Sequence, residues 1–214
     1  ADGRPPVAIM GGHGISRTAP EFRSVVETAR ALDRAGYLVV SGGGPGIMEA
    51  ANLGAWLSPH PDEALDDSLL ILADAPHYAD EEFVSAARNV ADTYPSDAQS
   101  LAIPTWFYGH EPSNLFANHI AMYFSNALRE DGLLDLATGG VIYARGSAGT
   151  LQEIFMDLCQ NHYRTFGDPA PMIFLGTDWW QEETGVWPLV ERFARKRAGA
   201  DTPYRELLTT VDHA

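Results

Sequence analysis

Cysteine is almost absent from this sequence. Cys159 is the only one among 214 residues, so no intrachain disulfide can form and nothing points to an oxidising compartment. It lies in the apolar helical run Ile154-Phe155-Met156-Asp157-Leu158-Cys159, which assigns it to the core as a structural thiol rather than a nucleophile. Basic residues are also few. Fourteen Lys and Arg against 29 Asp and Glu leave a formal charge of −15, which repels polyanions and argues against nucleic-acid or anionic-membrane partners. No stretch approaches the roughly 18 consecutive apolar residues of a membrane span. The first residues, Ala1 to Pro6, lack the basic and then apolar regions of a secretory signal, so a cytoplasmic location is the expectation. No Cys or His pair has ligand spacing, and neither a metal nor another cofactor is expected.

What is present is the pattern of an alternating α/β protein. An apolar content of 45%, with Trp, Tyr and Phe spread along the chain, is that of a globular protein, and the length favours one domain over residues 1–214. Val7-Ala8-Ile9-Met10, Tyr37-Leu38-Val39-Val40, Ser100-Leu101-Ala102-Ile103, Val141-Ile142-Tyr143-Ala144 and Met172-Ile173-Phe174-Leu175 read as strands. Helical spacing begins near Pro20, runs from Ile47 to about Trp56, resumes from Leu115 to about Arg129, follows Thr150 to about Tyr163, and closes with Val186 to Arg197. Residues 60–95 read as an inserted helical pair. The expectation is a Rossmann-like, doubly wound parallel sheet of five or more strands with helices on both faces.

Three of these strands run into glycine-rich turns that open helices, at Gly11–Gly14, Gly42–Gly46 and Gly146–Gly149. In a right-handed parallel sheet all such turns lie at the carboxyl edge, where ligands bind at the point of strand-order reversal. Any one of them alone reads as a tight βα turn; three together read as a site. A phosphate suits it, because unpaired N–H groups and the helix dipole favour an anion even on an acidic protein. Gly42-Gly43-Gly44-Pro45-Gly46 lacks the Gly-Lys-Ser/Thr ending of a nucleotide-triphosphate loop, and Arg17 stands where a dinucleotide fingerprint needs its third glycine.

The ordered pair Ser41-Gly42-Gly43-Gly44-Pro45-Gly46-Ile47-Met48-Glu49-Ala50-Ala51 and Arg145-Gly146-Ser147-Ala148-Gly149-Thr150-Leu151-Gln152-Glu153 resembles the paired motifs of the LOG ("lonely guy") family. Its members are nucleoside-monophosphate phosphoribohydrolases and relatives, many long labelled lysine decarboxylases. Gly146, Gly149, Thr150 and Glu153 match the second motif, Pro-Gly-Gly-x-Gly-Thr-x-x-Glu. Arg145, Ser147 and Gln152 depart from it.

The resemblance implies a nucleoside 5′-monophosphate as ligand, cleavage of its N-glycosidic bond to free base and ribose 5-phosphate, no metal, and a homodimer. Gly12, Gly43, Gly44, Gly46, Arg145, Gly146, Ser147, Ala148, Gly149 and Thr150 are the candidate phosphate and nucleotide contacts. Glu153 is the candidate catalytic carboxylate, stabilising an oxocarbenium-like sugar or activating water. Its alternative is a first-turn glutamate favoured by the helix dipole, and that of Arg145 is a surface cation. His13, His110, Asn118 and His119 are candidate base or ribose contacts, with structural or solvent-exposed positions as the alternative. His13, Ser16 and Arg17 flank the first turn, where they can reach ribose or phosphate.

The family also supplies an arginine from a Met-x-x-Arg-Lys helix before this strand. Asn114 to Tyr123, read as the corresponding helix, holds none before Arg129. Two functions therefore stand open: a phosphoribohydrolase, or a non-catalytic carrier that keeps the phosphate cradle. They are separated by whether Arg17, Arg129 or Arg145 converges with Glu153. Lysine decarboxylation is set aside, since Lys196 is the only lysine and nothing around it suits a Schiff base.

Overall fold

A computed structural model describes residues 3–106, 112, 114–195 and 204–212. Seven strands form one parallel sheet: β1 (Pro6–Met10), β2 (Leu38–Ser41), β3 (Ser100–Ala102), β4 (His119–Ile120), β5 (Gly140–Tyr143), β6 (Met172–Leu175) and β7 (Leu208–Val211). Their spatial order is β4-β3-β2-β1-β5-β6-β7. The helices are α1 (Pro20–Arg34), α2 (Ile47–Trp56), α3 (Glu63–Leu72), α4 (Phe83–Thr93), α5 (Asn126–Leu136), α6 (Ala148–Tyr163) and α7 (Val186–Arg195). This is the α/β Rossmann-like architecture expected from the alternation of strand and helix.

The period of two along each strand divides the core between the two faces of the sheet. Val7 and Ile9 of β1, Val39 of β2 and Ile142 of β5 join α1, α2, α3 and α4 in one apolar layer. Ala8 and Met10, Val40, and Val141 and Tyr143 join α5, α6 and α7 in the other. Leu65, Leu72, Ala87 and Val90 bring the helical pair of residues 60–95 into the first layer, so α3 and α4 thicken that face.

Arg17 ties this pair to the first glycine turn. Its side chain is buried, binds Glu49 of α2 through Nε at 2.8 Å and Nη2 at 2.5 Å, and donates from Nη1 to the carbonyls of Ala75 and Phe83 at 3.1 and 3.0 Å. The guanidinium also lies 3.4 Å from the centroid of the Phe83 ring. A ligand-binding role for Arg17 is thereby corrected: every direction of its fork is spent inside the fold.

Two further readings are corrected. The helix expected over Leu115 to Arg129 does not form. Residues 115–125 instead extend the sheet edge, with Ala121 N–H donating to Ala102 O at 2.9 Å and Tyr123 N–H to Pro104 O at 3.0 Å, and α5 starts only at Asn126. Cys159 is exposed rather than buried, because α6 turns Thr150, Glu153, Ile154, Asp157, Leu158 and Asn161 inward and leaves Cys159 off that stripe. The strands β4 and β7 were not anticipated; β4 is only two residues long, and the Thr-rich β7 carries little apolar signal.

Candidate functional site

The chain leaves β1 towards β2 but leaves β5 towards β6, so the helices after these adjacent strands, α1 and α6, pack on opposite faces. The crevice this opens at the carboxyl edge is where such sheets bind ligands. A cleft of about 280 Å³ lies there, walled by Gly11, Gly12 and His13 after β1, Gly42 to Gly44 after β2, and Ser147, Gly149, Thr150 and Glu153 after β5.

The three glycine turns differ in what they offer. Gly12 donates its N–H to Arg145 O at 2.9 Å and accepts from Ile47 N–H at 3.2 Å, which stitches the first turn to the other two. Gly46 is buried behind the wall at φ +66°, and a β-carbon there would strike the carbonyls of Gly12 and His13. Gly43, at φ +78°, gives its N–H to Ser41 Oγ at 3.0 Å, and its carbonyl accepts from Asn114 N–H at 3.1 Å. The third turn is different. It opens α6 at Ser147, with no side chain capping the helix, so the first-turn N–H groups at Ala148, Gly149 and Thr150 have no intrahelical acceptor. A β-carbon on Gly149 would meet nothing within 4 Å, so an anion can come close to this backbone.

Charged groups gather in the same cleft. Arg129 of α5 places Nη1 3.4 Å from Glu153 Oε1 and Nη2 3.9 Å from Glu130 Oε1. Its Nη2 also donates to Asn126 Oδ1 at 2.8 Å, while its buried Nε has no protein partner. Burial pushes the Glu153 carboxyl up to about 7; Arg129 opposes this and the neighbouring Glu130 adds to it. One helical turn further along α6, Asp157 accepts from the buried Tyr143 hydroxyl at 2.8 Å, and burial raises it likewise to about 7.

Other candidates lie elsewhere. Gly146 sits behind the wall, where a side chain would collide with that of Thr150, and Ala148 is exposed at the helix start. Arg145 turns away from the cleft: it pairs with Glu21 at 2.8 Å and lies 4.2 Å from the centroid of the Trp179 ring. Asn118 and His119 are carried to the opposite, amino edge by the strand that replaces the expected helix. There Asn118 Oδ1 accepts from Ser100 N–H at 2.9 Å, and His119 Nε2 meets Gln99 Oε1. His13 does line the cleft, its ring 5.8 Å from that of Tyr78 in the α3–α4 connection. His110 lies outside the described residues.

Of the three arginines named from the sequence, Arg129 is the one that converges with Glu153, while Glu130 and Asn126 are site residues that sequence reasoning passed over. The signal was the spacing Asn126-x-x-Arg129-Glu130, which repeats the family's Met-x-x-Arg-Lys with asparagine and glutamate in place of methionine and lysine. It was hidden by starting the helix eleven residues too early, at Leu115 instead of Asn126.

No family model matches this chain, and no curated protein matches its sequence. Solved structures do match. The molybdenum cofactor binding protein from the phototrophic bacterium Rippkaea orientalis is 16% identical, with a TM-score of 0.57 over 97% of this chain and 95% of that one. The molybdenum cofactor carrier protein from Chlamydomonas reinhardtii is 14% identical, with a TM-score of 0.56 over 98% and 91%. At such identities the likeness shows a shared fold. Among the described residues no group of three or more His, Cys, Asp or Glu is arranged for a metal ion, and no helix is long and apolar enough to cross a membrane.

Proposed function

We propose that this protein binds a small phosphorylated organic molecule in the switch-point cleft and holds it as a carrier, without altering it. The observation that carries this reading is the uncapped start of α6 beside Gly149, facing a cleft built from the glycine turns of β1 and β2. The ligand's phosphate sits on the N–H groups of Gly149 and Thr150 and on the Thr150 hydroxyl. The near full-length likeness to two proteins named for binding or carrying the molybdenum cofactor supports a carrier, and that cofactor is one candidate cargo.

A second reading is favoured by the Arg129–Glu153 pair: hydrolysis of a nucleoside 5′-monophosphate to free base and ribose 5-phosphate. Here Glu153 acts on the anomeric centre and Arg129 neutralises developing or transferred negative charge. One experiment separates the two. Purified protein is incubated with purine, pyrimidine and N6-modified adenosine monophosphates, and free base is followed beside Glu153→Ala. Thermal stabilisation without base release supports the carrier; release that vanishes in the variant supports the hydrolase; neither effect removes the nucleotide premise.

A homodimer is part of the proposal. Ile120, Met122, Phe124 and Leu128 expose apolar side chains beside β4, which pairs only with β3 among the described residues. A second copy of this chain is the occupant proposed for that edge.

A further inference from the structure

The structure assigns Glu130 as a specificity residue, and with it a ligand class: phosphorylated molecules that also offer two adjacent N–H donors, an amino group beside a ring N–H. This rests on the phosphate reading above. Glu130 lines the cleft, yet only 3% of it is exposed. Asn126 Nδ2 donates to its Oε1 at 2.6 Å and Gln152 Nε2 to its Oε2 at 2.7 Å, so both oxygens serve as acceptors and the carboxylate is held in one orientation. Each oxygen has a second lone pair, and neither amide uses it.

The fold gives little reason to bury this acid. Glu130 lies in the second turn of α5, beyond the reach of the helix dipole's positive end. Its nearest cation, Arg129 at 3.9 Å, is closer to Glu153, so one guanidinium serves two carboxylates. A desolvated carboxylate with unspent acceptor capacity at a cleft wall is suited to a donor pair brought by a ligand, as in the two-point pairing of a carboxylate with an amino group and adjacent ring N–H. The glycine turn of α6 takes the phosphate, and Glu130 takes the donor pair. The lysine that the resembled family carries in this position would instead call for an acceptor.

The test uses calorimetric binding of GMP, IMP, AMP and ribose 5-phosphate to the wild type and to Glu130→Gln. GMP alone among the three nucleotides offers both the amino group and the adjacent ring N–H. The expected wild-type preference for GMP over IMP and AMP is about tenfold or more, since an unmet buried acceptor penalises the analogue lacking the donor. In Glu130→Gln that preference disappears while ribose 5-phosphate affinity stays within about twofold, which also shows that the variant folds. Equal affinity of the wild type for all three nucleotides overturns the assignment, as does a uniform loss in the variant for ribose 5-phosphate and nucleotides alike. Failure of the wild type to bind ribose 5-phosphate while still preferring GMP would sink the phosphate cradle but keep Glu130. Failure to bind any of the four overturns both.

Discussion

Arg129 of α5 and Glu153 of α6 meet across the cleft at 3.4 Å although they lie 24 positions apart in the chain, with β5 between their helices. The guanidinium stands between Glu153 and Glu130, both of them nearly buried. It is therefore a counter-ion for the wall of the cleft.

Replacing Arg129 by methionine leaves two desolvated carboxylates without their cation. Loss of one partner of a buried pair costs about 3–5 kcal/mol, so a loss of that order in urea unfolding at pH 8 is expected. At pH 5 the loss is smaller, because Glu153 takes up a proton. A pH-independent loss would mean that Arg129 acts by packing alone.

The pH dependence of the wild type follows from Glu153 and Asp157. Both are raised in the folded protein to about 7, from ordinary values of 4.5 and 3.8. The native state then keeps protons that the unfolded chain has released, so the contribution of these two groups to stability is complete below about pH 4 and is lost as pH rises through 7. Each unit of displacement is worth roughly 1.4 kcal/mol per group. Unfolding free energies between pH 5 and 8 should slope less for Glu153→Gln, and less again when Asp157→Asn is added. Parallel wild-type and mutant curves would refute this.

Two glycines of the site should answer differently to alanine. Gly149→Ala meets open space in the first turn of a helix, where alanine is favoured by up to about 1 kcal/mol, so the protein should melt at the same temperature or slightly higher while phosphate-ester binding weakens. Gly46→Ala forces a side chain into the carbonyls of Gly12 and His13 at φ +66° and should lower the melting temperature markedly. Differential scanning calorimetry with and without ribose 5-phosphate reads both. A stable Gly149→Ala that binds as tightly as wild type would place the phosphate elsewhere.

Breaking the Arg17–Glu49 pair with Glu49→Gln should destabilise the fold by roughly 3 kcal/mol or more, because the fully buried guanidinium loses its counter-charge. The double variant Arg17→Met/Glu49→Leu should recover part of that loss. A double variant no better than the single one would shift the cause to the contacts with Ala75, Phe83 and the Phe83 ring.

Strands ending in glycine were legible because a short apolar run followed by Gly-rich sequence has few other structural meanings; β1, β2 and β6 lie within two residues of their expected bounds. The segment after Pro104 was not legible. Phe116, Ile120, Tyr123, Phe124 and Leu128 repeat at helical spacing, yet Ile120 and Phe124 are 57% and 71% exposed, and the backbone bonds of Ala121 and Tyr123 run along a sheet edge. An exposed apolar edge imitates the buried face of a helix, and that imitation displaced the start of α5 and concealed Asn126 and Glu130. Arg145 illustrates a different gap. Its place beside the third glycine turn was visible, but the direction of its side chain, set by Glu21 and Trp179 from distant parts of the chain, was not.

The walls of the cleft include four separate stretches, around residues 9–13, 42–48, 126–130 and 147–153, with Pro104, Thr105, Pro112 and Met122 between them in the chain. The stretches after β1 and β2 meet those of α5 and α6 only once β1 has paired with β5, far along the chain, so loop-closure entropy is spent before the whole binding surface exists. A partly collapsed chain with its first βα units in place would have the turns after β1 and β2 but no α6 start and no Arg129. A ligand of this cleft therefore recognises the finished fold alone, and the rise in unfolding midpoint with its concentration measures global folding rather than local loop order.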